Sequence, residues 1–376
     1  MKYCVSCLQP DTRPNIRFNA AGVCPACEYA NTLNEVDWEE RGKILQDIVA
    51  FGRQNNLSGY DCIIGVSGGK DSTRQAVFVR EVLGMKPLLV SLNYPPEQVT
   101  ERGVFNISNM INLGFDCINI SPSPPVWRKL MRQAFLEHGN WARSTEAALF
   151  SSVPRLAIAY QIPLIWWGEN PALQLGELNA KGKTGYDGNN LKRTNTLGGG
   201  DISWMLTDGI ERRHLLQYTY PSDAEMERAG LRIIFLGYFW KDWSLIDNGN
   251  FSVLRGLDPR LDKPDRTGDA VGVSALDEDW VIVNQMIKYL KFGFGKVSEY
   301  VNEDIRLGRI SRAEAIHLVE QYDGRCDPAY IADFAAYLEI SVEKFWTVVD
   351  RFVSARLFEK KTLGVYVPRF KVGVGL

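Results

Sequence analysis

The sequence predicts an α/β protein whose mostly parallel, doubly wound sheet is followed by a helical C-terminal region. Three observations lead to this prediction. Short apolar runs alternate with helix-periodic segments between residues 60 and 240, which is typical of βαβ units with helices on both faces of a sheet. Beyond residue 280, apolar residues recur at helical spacing. Four of the seven cysteines cluster between Cys4 and Cys27, which predicts a small separate unit at the N-terminus.

Each element is justified by its own pattern. Five apolar and β-branched runs are predicted as strands, at residues 60–66, 86–93, 116–121, 162–167 and 231–240. Helical periodicity predicts helices at 36–54, 71–83, 103–113, 128–138 and 145–160, and at 327–338 and 342–356. Ser311 and Glu314 form a capping-box pattern that opens a further helix. The predicted domains are residues 1–35, 36–245 and 246–376, the last of which would bind substrate or a partner.

Charge and hydropathy exclude several classes of protein. The 376 residues include 43 Lys and Arg against 45 Asp and Glu, which gives a net charge of −2. This weighs against nucleic acid as a partner, because general nucleic-acid binders present a strongly basic face. The 45% of hydrophobic residues suffices for a globular core. No apolar run reaches the roughly 18 residues of a membrane span, and no signal-peptide pattern opens the sequence, so we expect a cytoplasmic protein without membrane contact.

The N-terminal cysteines have the spacing of a metal site. Cys4 and Cys7 form one C-x2-C pair, and Cys24 and Cys27 form a second pair after 16 intervening residues. Two such pairs close a tetrahedron around an ion, so the spacing predicts a zinc ribbon with a structural Zn²⁺. A segment of about 30 residues needs such an ion to fold. The alternatives are two disulfides, which a reducing cytosol disfavours, or four unrelated thiols.

The strongest chemical signal is a glycine-rich turn between the first predicted strand and the next helix. Residues 67–72, called the glycine loop below, read Ser67-Gly68-Gly69-Lys70-Asp71-Ser72. The glycines allow close backbone approach and the helix N–H groups face outward, so we predict phosphate binding, with Lys70 adding a positive charge. The loop is not a Walker A loop, which needs Gly at position 64 and Ser or Thr at 71. Asp71 suits a magnesium–phosphate complex or a plain helix N-terminal acid, and an ordinary βα turn is the alternative for the whole loop.

Other predicted strand ends supply further candidate contacts, because the carboxyl ends of the strands line the ligand crevice of a doubly wound sheet. Gly168, Glu169 and Asn170 follow the fourth strand and form either a second wall of the site or a turn. Lys241 follows the fifth strand and is either a second cation beside a phosphate or a solvated lysine. A long loop at 171–213 gates the site, contacts the diphosphate of a substrate or faces solvent. Its basic residues are Lys181, Lys183, Lys192 and Arg193.

The glycine loop resembles the SGGxDS pyrophosphate loop of the PP-loop ATP pyrophosphatases, whose fold is similar to that of the adenine nucleotide α-hydrolases. The chain as a whole resembles one branch, the N-acetyl sugar amidotransferases of bacterial surface-polysaccharide (lipopolysaccharide O-antigen) biosynthesis. Besides the loop and the four N-terminal cysteines, the segments that carry this resemblance are 167–170 (WGEN), 291–296 (KFGFGK), 309–314 (RISRAE) and 322–324 (YDG). The resemblance therefore spans nearly the full length.

The resemblance implies an ATP-dependent reaction at these residues. Members of the family convert an acetamido group of a nucleotide-linked sugar to an acetamidino group through an adenylated imidate, and they release AMP and pyrophosphate. By resemblance, Asp71 and Glu169 would hold Mg²⁺, while Lys70 would stabilise the charge on the phosphates. Lys241, which is a candidate because of its place after the fifth strand, would be a second catalytic cation. The ATP-binding residues that it implies are Ser67, Gly68, Gly69, Lys70, Asp71, Ser72, Gly168 and Asn170, with Ser91 and Asn93 beside the adenine.

The sequence contains no pattern for making ammonia. Glutamine hydrolysis needs an activated cysteine, usually on a tight elbow with a histidine nearby. Cys62, Cys117 and Cys326 lack elbow glycines, and the first two lie in apolar runs that predict core positions. We therefore expect ammonia from solution or from a second protein. The resemblance implies a partner glutaminase, with a cyclase-like subunit as a further candidate partner that delivers ammonia through a channel.

Two other functions remain open. A tRNA-thiolating PP-loop enzyme shares the loop and, in some members, zinc knuckles, but the net charge and the lack of a paired redox-cysteine motif in the α/β part weigh against it. A non-catalytic zinc-ribbon binding protein is disfavoured by the intact glycine loop. Tight, salt-sensitive tRNA binding would favour the first alternative. Absence of pyrophosphate release with an acetamido sugar nucleotide, ammonia and magnesium ATP would favour the second.

Overall fold

A five-stranded parallel sheet forms the centre of the molecule. The computed structural model describes residues 1–176, 185–193, 197–207 and 209–376. The strands are β1 (Cys62–Gly65), β2 (Pro87–Leu92), β3 (Cys117–Ile120), β4 (Leu164–Trp167) and β5 (Arg232–Phe235). Their order across the sheet is β3–β2–β1–β4–β5, and every neighbouring pair is parallel. The predicted fold class is confirmed, and each predicted strand contains one of these five.

Helices precede, connect and follow the strands. They are α1 (Pro25–Thr32), α2 (Trp38–Asn55), α3 (Lys70–Glu81), α4 (Glu101–Asn112), α5 (Pro124–His138), α6 (Ala142–Tyr160), α7 (Pro171–Gln174), α8 (Asp223–Arg228), α9 (Leu245–Val253), α10 (Pro264–Thr267), α11 (Val281–Phe292), α12 (Lys296–Arg306), α13 (Arg312–Tyr322), α14 (Pro328–Tyr337) and α15 (Val342–Asp350). Within the described residues, none of these helices is both long enough and apolar enough to cross a membrane.

The central strand β1 is buried on both faces, which explains its uninterrupted apolar sequence. Ile63 packs with Val153 and Ala157 of α6 on one face. Ile64 packs with Ala76 of α3 on the other face, and both isoleucines are fully buried. Parallel sheets covered by helices on both sides need such continuous apolar strands. The order of the strands reverses between β1 and β4, so a crevice is expected at the carboxyl ends of these two strands.

The fifth strand is shorter than predicted. β5 ends at Phe235, and the apolar run continues as a short 3-10 turn over Leu236–Phe239. The turn brings Gly237 against the segment that follows β4. An added Cβ on Gly237 would lie 2.8 Å from the carbonyl oxygen of Glu169. The expectation that Lys241 lies at the carboxyl end of the strand is therefore wrong, because the chain has already turned away after Phe235.

The C-terminal region is mainly helical, as predicted, and the capping box of Ser311 and Glu314 is present at the start of α13. The region ends in an antiparallel hairpin that was not predicted from the sequence, formed by β6 (Phe358–Thr362) and β7 (Val365–Pro368). Most of its side chains are exposed, so the hairpin has no clean alternation of buried and exposed positions. The stretch 242–279, for which no helix was predicted from the sequence, contains α9 and α10.

The segments KFGFGK and YDG form a turn between helices. Asp323 accepts hydrogen bonds from Gly295 N at 2.7 Å and from Ser298 Oγ at 2.6 Å, and thereby caps the start of α12. An added Cβ on Gly295 would lie 2.6 Å from a carboxylate oxygen of Asp323. These contacts fix the segment as a turn between α11 and α12.

The cysteine-bearing N-terminus packs on the C-terminal region. Leu8 N donates to Asn302 Oδ1 at 2.7 Å, and Arg13 forms an ion pair with Glu299 at 2.6 Å. Leu8 is fully buried and belongs to the same apolar cluster as the helices of the C-terminal region. The cysteine-bearing segment is therefore stabilised by contacts with α12 as well as by contacts within the segment.

Candidate active site

A cavity of about 310 Å³ opens at the carboxyl ends of β1 and β4, where the strand order reverses. We call it the loop cavity. The glycine loop, β4, α6 and residues 273–275 all contribute to its lining. Its polar lining residues are Ser67, Lys70, Asp71, Ser72, Gln75, Ser152, Glu169, Gln174 and Ser274.

Glycines give the loop its shape. Gly68 has φ +74°, a left-handed conformation that other residues rarely adopt, and an added Cβ would lie 2.8 Å from the backbone of Asn106. Gly69 is the N-cap of α3. The first N–H groups of α3 have no partner within the helix, as at any helix start, and form an anion-binding end at the cavity.

A buried ion pair lies at the start of α3. Lys70 is only 6% exposed, and its Nζ lies 2.5 Å from Asp71 Oδ2. The other oxygen, Asp71 Oδ1, accepts a hydrogen bond from Asn248 Nδ2 of α9 at 2.7 Å. Ser252 of the same helix donates to the carbonyl oxygen of Lys70 at 2.8 Å. The loop is thus fixed by a helix that is distant in the sequence.

Glu169 and Asp71 both line the loop cavity. Burial is the main cause that raises the pKa of Glu169 to about 7; the negative charge of Asp71 acts in the same direction and Lys70 in the opposite one. The neighbouring Gly168 lies so close to α3 that an added Cβ would be 2.9 Å from Gln75 Oε1. Its carbonyl oxygen accepts from Trp243 Nε1 at 2.7 Å. This close approach packs the segment that carries Glu169 against the start of α3, which carries Asp71.

The two carboxyl groups suit a magnesium ion that also binds phosphate. Mg²⁺ is held in proteins by one or two carboxylates together with phosphate oxygens and water. The raised pKa of Glu169 indicates that its charge is poorly compensated by the protein, and a divalent cation would supply that compensation. Asp71 and Glu169 are the residues that would hold it.

The remaining predicted residues fall into two groups. Ser91 and Asn93 line a second cavity of about 210 Å³, called the side cavity, which shares Ser67 and Leu92 with the loop cavity. Asn170 is not in either lining; its side chain caps α7 through Leu173 N and donates to Gly237 O at 3.3 Å. Lys241 is exposed and also lies outside both linings.

The basic residues of the 171–213 loop are only partly described. Lys181 and Lys183 lie outside the described residues. Lys192 pairs with Asp223 at the start of α8, and Arg193 is exposed. The described part of this loop therefore places no basic side chain in the loop cavity.

Several site residues were not predicted from the sequence. Asn248 and Ser252 contact the glycine loop from α9, and Gln75 and Trp167 line the loop cavity. The side-chain N–H groups of Gln75 and Trp167 are buried and have no hydrogen-bond partner among the described residues. One signal was available for α9: Ser244 caps the helix and its hydroxyl contacts Asp247, three residues on, as in a capping box. Gln75 could also have been predicted from the sequence, because it lies one helical turn beyond Asp71.

The four N-terminal cysteines form a cluster suited to zinc, called the cysteine site. All four sulfurs lie within 4.8 Å of one another and all four residues are buried. Cys4 and Cys27 sulfurs are 3.9 Å apart and Cys7 and Cys24 sulfurs 3.7 Å. A tetrahedral zinc ion with Zn–S bonds of about 2.3 Å places its ligands about 3.8 Å apart, so the spacing fits that ion.

One side chain joins the cysteine site to the loop cavity. Arg306 of α12 contacts Cys7 Sγ at 3.9 Å and donates to the carbonyl oxygen of Gln174 at 3.1 Å. Gln174 lines the loop cavity and also accepts from Asn170 N at 3.1 Å. The cysteine site therefore supports the wall that carries Glu169.

Comparison with known proteins gives one informative similarity. Residues 273–371 match the family model described as "LPS biosynthesis protein WbpG-like, C-terminal domain". Over these residues the predicted resemblance to a lipopolysaccharide-biosynthesis family is confirmed. The matched segment begins with Val273, Ser274 and Ala275, which lie across the loop cavity.

Among solved structures, the chain is similar to that of NMN synthetase from Francisella tularensis. The two share 14% identity with a TM-score of 0.28, over 61% of this chain and 99% of that one. A similarity at that TM-score is too low to support a conclusion about the fold or function of this chain. The chain matches none of the curated proteins with which it was compared.

Proposed function

We propose that the chain is an ATP-dependent amidotransferase of lipopolysaccharide biosynthesis. It would convert the acetamido group of a nucleotide-linked sugar to an acetamidino group, with release of AMP and pyrophosphate. The observation that carries this proposal is the lining of the loop cavity: a helix start suited to an anion, a buried lysine, two carboxyl groups and the first residues of a segment that matches a lipopolysaccharide-biosynthesis family.

The proposed reaction has two steps. The amide oxygen of the acetamido group attacks the α-phosphorus of ATP, the bond to the bridging oxygen breaks, and pyrophosphate leaves as the amide nitrogen loses its proton. Ammonia then adds to the activated carbon, and AMP leaves with the former amide oxygen. The first step turns a poor leaving group into a good one, and the enzyme contributes mainly positioning and charge neutralisation.

The residues of the loop cavity are matched to these demands. The start of α3 and the hydroxyls of Ser67 and Ser72 would bind the leaving pyrophosphate, and Lys70 would neutralise its growing charge. Because Lys70 is almost fully buried, its charge acts in a medium that screens it weakly. Asp71 and Glu169 would hold Mg²⁺ against the phosphates, where the ion neutralises charge and orients the reacting groups.

The two connected cavities suit two substrates. The side cavity has apolar walls from Val104 and Ile107 with Ser91 and Asn93 at its rim, a lining that suits a nucleoside. The loop cavity has aromatic residues opposite the glycine loop, among them Trp167, and would take the acetamido group.

The isolated cysteines support an external source of ammonia. Burial raises the pKa of the Cys62 thiol well above its ordinary value, and it also raises the pKa of Cys117. Burial raises the pKa of Cys326 to about 12. A nucleophilic cysteine needs a lowered pKa, so none of the three is suited to glutamine hydrolysis. We propose that a partner glutaminase supplies ammonia.

The deciding experiment offers the protein a panel of acetamido sugar nucleotides with ammonium, ATP and Mg²⁺. We expect AMP to form with one of them, and the product mass to fall by the difference between an oxygen atom and an imino group. A matched panel without the acetamido group is the control. AMP formed with tRNA instead, or no AMP formed with any sugar, would overturn the proposal.

A further inference from the structure

Helix α9 holds the glycine loop through two completely buried side chains. Asn248 and Ser252 lie one turn apart on the face of α9 that packs against α3, and both are 0% exposed. Asn248 Nδ2 donates to Asp71 Oδ1 at 2.7 Å, and Ser252 Oγ donates to the carbonyl oxygen of Lys70 at 2.8 Å. One contact is to a charged side chain of the site and the other is to the backbone.

The orientation of the Asn248 amide is fixed by a charged neighbour. Arg74 Nη1 donates to Asn248 Oδ1 at 2.6 Å, and Arg74 Nη2 forms an ion pair with Asp242 at 2.7 Å. A guanidinium group can only donate hydrogen bonds. The amide oxygen must therefore face Arg74, which leaves the amide nitrogen for Asp71.

This arrangement gives each oxygen of the Asp71 carboxylate a separate partner. Oδ1 accepts from Asn248, and Oδ2 contacts Lys70. With Oδ1 held, rotation of the carboxylate is restricted and Oδ2 stays on the side of the lysine. Groups that orient a metal-binding carboxylate in this way tune its affinity for the ion.

We propose that Asn248 is a positioning residue that orients the Asp71 carboxylate for the magnesium-bound phosphate. This inference rests on the proposed function in so far as it takes Asp71 as a ligand of the Mg²⁺ that accompanies ATP. It deepens that function by assigning the control of Asp71 to a helix outside the loop.

Helix α9 is in turn fixed by the C-terminal region. Glu303 of α12, which is buried, accepts from Leu245 N at 2.6 Å at the first residue of α9. Arg309 donates to Ser244 Oγ at 2.8 Å at the cap of the same helix. Asn248 therefore occupies a defined position even before a ligand binds.

The test replaces Asn248 by leucine, which is similar in size and cannot donate. In Asn248→Leu, Arg74 keeps Asp242 and Asp71 keeps Lys70, so neither charge is left alone and we expect the protein to fold. We measure binding of α,β-methylene-ATP to the full chain across a series of Mg²⁺ concentrations. The half-saturating Mg²⁺ concentration should rise at least about tenfold, with affinity restored at saturating Mg²⁺.

A matched control uses Asn109, a second asparagine that tethers the segment after α9. Asn109 Nδ2 donates to the carbonyl oxygen of Arg255 at 2.9 Å and contacts no residue of the glycine loop in the described structure. Asn109→Leu should leave the half-saturating Mg²⁺ concentration unchanged. Thermal denaturation of both variants separates a positioning role from loss of fold, and Asn248→Ser serves if the leucine variant melts early.

The outcomes are distinguishable. Equal Mg²⁺ dependence in the wild type and in Asn248→Leu would overturn the inference, as would an equal shift in Asn109→Leu. A wild type that does not bind the analogue at any Mg²⁺ concentration would overturn the inference and the proposed function together. A shift in Asn248→Leu in an enzyme that amidinates none of the sugars would leave the inference standing and reject only the proposed reaction.

Discussion

The cysteine site and the loop cavity both start from short sequence motifs, yet they depend on the rest of the chain in opposite ways. All four candidate ligands of the cysteine site come from the N-terminal segment that ends at Cys27. The loop cavity combines the glycine loop with β4, α6 and residues 273–275. The comparison teaches that a motif can define an entire metal site but only one wall of an active site.

The two sites also differ in what holds their charges. The cysteine site brings four sulfurs together around a space that suits an ion, and the ion would supply most of the folding free energy there. The charges at the glycine loop are already partnered by protein groups, with Lys70, Asp71 and Asn248 in contact. Perturbing the first site should therefore cost stability, and perturbing the second should cost activity.

The largest effect is expected from removing one metal ligand. Cys24→Ser should lose zinc and lower the free energy of unfolding by several kcal/mol, since structural zinc contributes on the order of 10 kcal/mol in small domains. Zinc content and thermal denaturation are the measurements, with Cys117→Ser, outside the cluster, as the control. Full zinc content in Cys24→Ser would mean that the spacing of the four sulfurs has another cause.

The next effect concerns rate and leaves the metal in place. Lys70→Ala should reduce AMP formation about 10²–10³-fold, because a buried cation aimed at developing charge is lost. Zinc content should stay at the wild-type value. Lys43→Ala, on the exposed face of α2, is the control. Wild-type turnover in Lys70→Ala would show that the glycine loop has no catalytic role.

A smaller effect is expected in the pH dependence of stability. The pKa of Glu169 is raised from 4.5 to about 7, so the folded protein holds this proton more tightly than the unfolded chain. Between these two pH values the stability of the Mg²⁺-free protein should therefore fall as pH rises. Glu169→Gln should reduce this dependence of stability on pH. The contribution of Glu169 is the difference between the wild type and the variant in how the melting temperature changes with pH.

The wild type must be compared with Glu169→Gln because other carboxyl groups titrate in the same pH range. Burial also raises the pKa of Glu303 to about 7 and that of Glu278 to about 8. Thermal melts of wild type and variant across pH 5 to 8 give the comparison. Adding Mg²⁺ should raise the wild-type melting temperature more at high pH than at low pH. Parallel curves for the two proteins would indicate that Glu169 titrates normally.

The smallest effect is expected at a local motif that belongs to neither site. Ser311→Ala removes the cap of α13 and should cost about 1 kcal/mol of stability. Zinc content and AMP formation should not change. Ser311→Thr, which keeps the hydroxyl, should recover most of the loss. A change in either site would show that α13 is coupled to it.

Most of the sheet and both motifs could be predicted from sequence because their signals are local. A buried strand, a glycine-rich turn and a helix follow one another directly from β1 to α3. Strand β5 was predicted too long because its apolar run continues into a buried turn. Tyr238 in that turn contacts Arg41, whose guanidinium group lies 3.7 Å from the centre of the ring. The apolar residues after Phe235 are therefore packed against other parts of the chain without forming a strand.

The contacts that complete the site could not be predicted, because they join distant parts of the chain. Asn248 and Asp71 are 177 positions apart, and no spacing rule connects them. Lys241 was predicted at the site only because the strand was expected to reach Trp240. Glu169, in contrast, was found because it closely follows β4 at the edge where strand ends meet.

The docking of the N-terminus on α12 has a consequence for synthesis of the protein. Leu8 contacts Asn302 across 294 positions of sequence. A ribosome adds about 5–20 residues per second, so α12 emerges on the order of 15–60 s after the cysteines at those rates. The cysteines have that interval to capture an ion in water. Leu8, which is fully buried in the finished fold, stays uncovered until α12 has been synthesised.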